Sequence, residues 1–336
     1  MLATVWATIT INANTRNTVI ILKYFKVGKK ENKITTTELN KRLSWTLEQK
    51  IFHSLETIDV FMGVNPAYVS YSGGKDSTIL LYLSRIIKKD IRAIFFNTTN
   101  EFPEMYRFLK NIDGIEWVQP EMNLKQVIEK FGFPLISKEQ SQYLREYRHA
   151  KSEKHKYLRL NGRPDKPYQG KISNKWQHLI NAPFEISEKC CYYLKKKPAI
   201  KFEKETGLKP IIGTSVNEST LRKQKYLVTG CNSFDTKRIA SYPLSIWTEE
   251  NKWDFIRKNK IPYCGIYDKG ETQTGCMVCG FGCQYDDRFE RLKEIEPKAY
   301  KTAMELTNNG VTYYDAIQMA LKKPKCEGKN ILKLWD

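Results

Sequence analysis

The sequence predicts an α/β fold built on a doubly wound parallel sheet, and three observations carry that expectation. Short β-branched apolar runs alternate with longer helical ones from residue 67 onward. A glycine pair, Gly73–Gly74, separates the first such strand from its helix. Hydrophobic residues make up 41% of the 336, enough for a sizeable core. Strands that alternate with helices pair in parallel, because each crossover helix returns the chain to the same edge of the sheet.

Residues 1–35 read as an irregular leader with two short strands, near 8–11 and 19–24. Residues 36–61 carry Leu39, Leu43, Leu47, Ile51, Leu55 and Val60 at helical spacing, a packing face. Strand 67–71, the glycine turn and helix 77–87 follow. Then come strand 91–97, helix 101–112, strand 115–119 and helix 124–131. The alternation resumes at strand 210–214. Thr248 can cap a helix over 247–258, where Glu249 and Glu250 suit the first turn. Residues 288–321 read as helical. These boundaries divide the chain into an extension with its helix (1–55), a nucleotide-type domain (56–290) and a C-terminal helical segment (291–336).

Fifty-six basic residues against 37 acidic ones leave a formal charge of +19. Such an excess attracts polyanions, including nucleic acid and nucleotides. It concentrates in residues 138–176, where eleven basic residues stand against four acids and Tyr143, Tyr147, Tyr157, Tyr168 and Trp176 are interleaved. Two readings share this composition: a nucleic-acid surface with stacking rings, or a solvated insertion whose aromatics pack inward. No apolar run is long enough to span a membrane, and the first residues lack a secretory pattern, so a cytoplasmic protein is expected.

The sharpest motif is Tyr71-Ser72-Gly73-Gly74-Lys75-Asp76-Ser77. Between a strand and a helix, glycines let the backbone close on a ligand, and the helix start presents N–H groups to an anion. Ser72, Ser77 and Thr78 add hydroxyls, and Lys75 adds charge. Asp76 would repel a bare phosphate, so it either caps the helix or engages Mg2+. The motif differs from the common G-x-x-x-x-G-K-[ST] loop. It resembles the SGGxDS pyrophosphate (PP) loop of the ATP-pyrophosphatase superfamily, the adenine-nucleotide α-hydrolase, Rossmann-like type.

Later segments are similar to one branch of that superfamily, the phosphoadenosine phosphosulfate (PAPS) reductase-like proteins, over about residues 40–300. Asn97-Thr-Thr-Asn-Glu-Phe-Pro-Glu104 resembles the segment that would put Thr98 and Glu101 near the nucleotide; Asn97 stands where an acid is expected. Residues 213–222 resemble G-x-R-x-x-E-S-x-x-R, with Ser215 replacing the first Arg and Glu218, Ser219 and Arg222 kept. Arg222 can clamp an oxyanion at two points or serve as a structural ion pair. Residues 243–247 and 261–270 also fit. The resemblance is closest to phage-type members and to DNA-phosphorothioation sulfur enzymes, and it implies catalytic roles for Lys75, Asp76 and Arg222.

Eight cysteines in a large α/β chain read as metal ligands or redox groups. Cys190-Cys191 followed by Cys276-x-x-Cys279 resembles the pattern that binds a 4Fe-4S cluster in adenosine phosphosulfate reductases, and Lys195–Lys197 would offset its charge. Cys264, Cys276, Cys279 and Cys283 form a competing local set. Zinc and metal-free thiols also remain open. Cys231 and Cys326 have no motif partner, and the four histidines show no triad spacing.

Three functions follow. The first is sulfur transfer through adenylation of a substrate by ATP and Mg2+, with a sulfur-donor protein and a nucleic-acid substrate as partners. The second is true phosphosulfate-nucleotide reduction, for which the family's C-terminal E-C-G-I-H motif is missing and Cys326 is a distant substitute. The third is a non-catalytic nucleotide- and nucleic-acid-binding regulator.

Overall fold

The computed structural model describes residues 33–321 apart from Asp235 and Lys237; the strands expected near 8–11 and 19–24, and Cys326, lie outside the described residues. The chain opens with α1 (Thr36–Leu43), α2 (Leu47–Val64), β1 (Ala67–Ser70), α3 (Lys75–Ile87), β2 (Ala93–Phe96), α4 (Pro103–Lys110), β3 (Ile115–Val118) and α5 (Leu124–Phe131). Then come β4 (Leu135–Ile136), α6 (Lys138–His149), α7 (Glu153–Asn161), α8 (Lys189–Cys191), α9 (Lys197–Thr206), β5 (Lys209–Ile212) and α10 (Thr220–Thr229). The last third holds β6 (Asn232–Ser233), β7 (Ala240–Ser241), α11 (Glu249–Asn259), β8 (Gly280–Phe281), α12 (Arg288–Ile295), α13 (Pro297–Met304), β9 (Thr307–Asn308), β10 (Val311–Thr312) and α14 (Tyr313–Leu321). The fold is mixed α/β with mostly parallel strands, as the alternation predicts.

Two compact units divide the chain. The first comprises Met1–Tyr71, Lys75–Ala93 and Gly207–Pro262; the second comprises Ser72–Gly74, Ile94–Thr206 and Tyr263–Asp336. In the first, β1 pairs in parallel with β5, Ala67 opposite Lys209 and Ser70 opposite Ile212. β5 pairs in parallel with β7, and β6 closes the edge antiparallel to β7. Tyr68, Val69, Ile79, Leu80, Leu83 and Ile211 are fully buried around these strands. Trp247 is also fully buried; its indole N–H donates to Ser54 Oγ at 2.9 Å, and that hydroxyl donates to the Pro243 carbonyl. A buried indole needs such a partner.

The stretch expected as one helix over 36–61 is two. Thr46 accepts from the Gln49 N–H while the Gln49 side chain accepts from the Thr46 N–H, a capping box that starts α2 afresh. α11 begins at Glu249, capped by Thr248 and Asn251 in the same reciprocal way. Asn251 Oδ1 also accepts from the buried ammonium of Lys50 at 2.6 Å.

In the second unit β3 lies beside β2, and β4 pairs in parallel with β8, Leu135 opposite Gly280. The expected continuous helix over 288–321 is broken. Pro297 opens a new helix, as its missing N–H allows at a first turn. Asn309 and Gly310, both at positive φ, then turn the chain between β9 and β10.

The basic stretch 138–176 folds into α6, α7 and a 3-10 turn (Asn174–Asn181). Three of its four arginines are tied into the fold, and the fourth, Arg163, is exposed. Arg145 makes a two-point contact with Glu188, and Arg148 donates to the carbonyls of Ile180, Ala182 and Phe184. Arg159 bonds Glu146 and the Gly170 carbonyl while lying 4.3 Å over the Tyr143 ring. Trp176 is buried, whereas Tyr157 and Tyr168 are exposed. Arg145, Arg148, Arg159 and Trp176 thus build the fold, while Tyr157 and Tyr168 face solvent.

Candidate functional site

In the first unit α3 begins at Lys75, directly after the glycine pair. Gly213 shows how tightly the tip of β5 meets this helix start. A Cβ there would stand 2.8 Å from the Asp76 carbonyl oxygen and 3.2 Å from the Ser77 nitrogen. Only glycine lets the two backbones approach so closely.

Four charged side chains form a chain at this helix start. Lys75 Nζ lies 3.0 Å from Glu249 Oε2, and Glu249 Oε1 accepts from Lys252 Nζ at 2.7 Å. Lys252 then donates to Asp76 Oδ2 at 2.9 Å and to Ser215 Oγ at 3.3 Å. Lys252 has 0% exposure and the Lys75 side chain 6%, while the Glu249 side chain is 60% exposed. A lysine without solvent is tolerable only when paired. Burial works to raise the Glu249 carboxyl, but the hydrogen bonds and charges of Lys252 and Lys75 hold it below the usual carboxylate range. Asp76 does not cap the helix through its bond to Lys252. Its other oxygen, Oδ1, is buried and has no hydrogen-bond partner among the described residues.

Arg222, read as an oxyanion clamp or a structural ion pair, forms an ion pair with Glu218. Glu218 also accepts from the Ser215 N–H at 2.5 Å and the Ser215 hydroxyl at 3.2 Å. Ser219 caps α10. These side chains brace the turn after β5.

In the second unit Gly73 packs so closely on Met105 and Leu109 that a side chain there would collide with the Met105 sulfur. A Cβ at Gly74 would stand 2.5 Å from the Thr274 hydroxyl and 3.4 Å from the Tyr267 hydroxyl. Two hydroxyls thus face the glycine pair. Thr98 Oγ1 donates to Glu101 Oε1 at 2.6 Å, and burial pushes the Glu101 carboxyl up despite the Lys195 ammonium. Asn97 serves its own turn: its amide bonds Gln119, and its carbonyl accepts from the Thr99 N–H and the Tyr106 hydroxyl.

The same unit holds the cysteines. The adjacent thiols of Cys190 and Cys191 act on one another, so that Cys191 is the more acidic of the pair and Cys190 the less. Cys276 and Cys279 lie close enough to raise the Cys190 thiol further. Asn100 holds the Cys276–Cys279 turn, its carbonyl accepting from Met277 N and its side chain from Val278 N. Burial raises the Cys276 thiol, and Lys195 opposes that shift by hydrogen bond and charge. Lys195 is exposed, and the charge of Cys276, with that of Glu101, holds its ammonium above the usual lysine range against burial. Burial pushes Cys279 up to about 11, and its carbonyl accepts from Arg288. Cys283 is buried, and it affects Tyr313 together with Cys279 and Cys190. The charges that act most on Cys264 are Glu104, Lys269 and Arg107 rather than other thiols. Among the described residues no three His, Cys, Asp or Glu side chains converge as they would around one metal ion.

Cys190 and Cys191 end a single helical turn that runs through a π turn (Tyr192–Lys196) into α9. Such π turns are frequent at functional sites.

Sequence reasoning did not find Lys252, Glu249, Asn100 or Thr274 as site residues. Lys252 left one signal. On α11 the buried positions are Lys252, Phe255 and Ile256, so a lysine occupies the apolar register and must have a buried partner.

Residues 66–280 match the model of the phosphoadenosine phosphosulfate reductase domain, well over half of the chain. An uncharacterized protein of Methanocaldococcus jannaschii is 26% identical over 220 residues, which are 64% of this chain and 36% of that protein. The chain covers 45% of a second protein from that organism, so it spans less than half of these two relatives. An adenosine 5'-phosphosulfate reductase of Staphylococcus haemolyticus is 22% identical over 218 residues, 62% of this chain and 68% of that enzyme. A crystal structure of PAPS reductase from Candida auris aligns with a TM-score of 0.41 at 14% identity, covering 72% of this chain and 96% of that one. No helix among the described residues is long and apolar enough to cross a membrane. On the extent of the family match, the chain belongs to the phosphoadenosine phosphosulfate reductase domain family.

Proposed function

We propose that the loop Ser72–Ser77 holds the phosphates of an adenine nucleotide, ATP with Mg2+, and that the chain uses it to adenylate a substrate for sulfur transfer. The observation that carries this reading is Asp76. Lys252 takes one of its oxygens, and the other is buried without a hydrogen-bond partner among the described residues. A buried carboxylate oxygen in that state suits a hard cation, and Mg2+ is bound by one or two carboxylates together with substrate phosphates. Lys75 and the helix start would place positive charge where the leaving pyrophosphate gathers negative charge.

The thiols of Cys190, Cys191, Cys276 and Cys279 suit a 4Fe-4S cluster. Four irons spread their ligands farther apart than one ion does, and these thiols influence one another without converging on a point. A bound cluster would supply redox chemistry or a sulfur-handling centre. Lys195 would offset its charge, and Asn100 would hold the turn that carries two of its ligands.

A second reading, reduction of a phosphosulfate nucleotide, is favoured by the relative named as an adenosine 5'-phosphosulfate reductase. Anaerobically purified protein separates the two. ATP–pyrophosphate exchange that is lost in Lys75→Ala and Asp76→Ala supports adenylation. Thiol-dependent sulfite release from adenosine 5'-phosphosulfate without exchange supports reduction. About four irons per chain are expected, and a colourless, iron-free protein would remove the cluster from either scheme.

A further inference from the structure

Glu249 is the most exposed member of the charge chain, and both of its lysine partners are buried. Lys252 is fully buried, and the Lys75 side chain is 6% exposed. Its carboxylate bridges two ammonium groups, one oxygen to each, at 3.0 and 2.7 Å. A phosphate group presents the same chemistry, with several anionic oxygens that can take more than one cation at once. Release of Glu249 would leave Lys252 with Asp76 and Ser215 as partners. Lys75 would exchange its contact with Glu249 for one with a phosphate at the start of α3. Thr248 and Asn251 hold the helix end by their own hydrogen bonds, so Glu249 can swing outward without uncapping α11.

We propose that Glu249 is a resident counter-anion of the phosphate loop, which the incoming nucleotide displaces from Lys75. The inference rests on the reading of the loop as a phosphate site. Its consequence is a threshold on affinity. Every phosphate ligand must compete with a tethered carboxylate, so a single weak phosphate gains little while a pyrophosphate-bearing ligand, with more contacts, prevails. Glu249 is thus a specificity-determining residue rather than a catalytic one.

Calorimetry on the full chain tests this, with inorganic phosphate, inorganic pyrophosphate and Mg·ATP as ligands. Glu249→Gln is expected to tighten pyrophosphate and Mg·ATP binding roughly three- to tenfold and to narrow the margin over inorganic phosphate. Glu250→Gln removes the same charge from the neighbouring exposed position and should leave affinity as it was. In a Lys75→Ala background the Glu249→Gln gain should vanish, because the effect runs through that ammonium. Wild-type-like or weaker binding by a folded Glu249→Gln protein, against measurable wild-type binding, overturns the proposal. Identical pyrophosphate binding by wild type and Lys75→Ala, or none by either, removes the loop reading and the inference with it. Urea midpoints of all variants show whether a lost signal reflects lost folding.

Discussion

At the scale of single residues the turn between β1 and α3 is legible because its residues are consecutive; its part as a phosphate site is the proposal. Glycines, hydroxyls, a lysine and an acid stand within six consecutive positions, and that run alone points to a phosphate. The side chain that matters most to Asp76 is not local: Lys252 lies 176 positions away. No spacing in the sequence joins them, and only the buried register of α11 hints that this lysine needs a partner. Arg222 illustrates the converse. Its motif position suggests an anion clamp, but Glu218 sits at the spacing that pairs side chains along a helix. Lys252→Met would leave Asp76 buried without its cation. We expect a loss of about 3–5 kcal/mol in urea unfolding, the magnitude for breaking one side of a buried pair. Lys252→Met combined with Asp76→Asn should recover part of it.

At the scale of elements, strand and helix positions follow the alternation closely, with the exceptions set by caps. The helix read over 36–61 divides where Thr46 satisfies its own new set of N–H groups. The helix read over 288–321 divides at Pro297 and at Asn309-Gly310. These breaks were written in the sequence as capping and turn residues, but the apolar periodicity runs across them and hides them. α11 depends on such a cap. Thr248→Ala should lower stability by about 1 kcal/mol in thermal unfolding. The π turn at 192–196 was not legible at all. One wide turn shifts the register of everything after it, so Pro198, Ala199 and Phe202 meet the core on a face that a uniform 3.6-residue count misplaces.

At the scale of the whole molecule, charge and stability are linked through partly buried ionisable groups. His53 on α2 is the clearest. Burial, and then the Arg42 charge, disfavour its cation, while Glu56 opposes them, so its pKa lies below the ordinary value of 6.5. Cys231 Sγ stands 3.6 Å from its Nε2. The unfolded chain therefore takes up this proton first as pH falls. Stability present above about pH 7 should decline as pH drops through the folded imidazole's value, and His53→Gln should flatten that part of the profile in urea midpoints taken from about pH 7 to 5. The +19 charge singles out no partner, since an excess of lysines favours any polyanion alike. The two compact units are interleaved along the chain, which passes from one to the other five times. During synthesis β1 emerges long before β5, its parallel neighbour, so the edge of β1 that faces β5 must wait for residues 209–212 before it can pair. No single cut of the polypeptide releases either unit intact. Dissection of this protein into separately folding parts would require rejoining its segments in a new order rather than shortening it from an end.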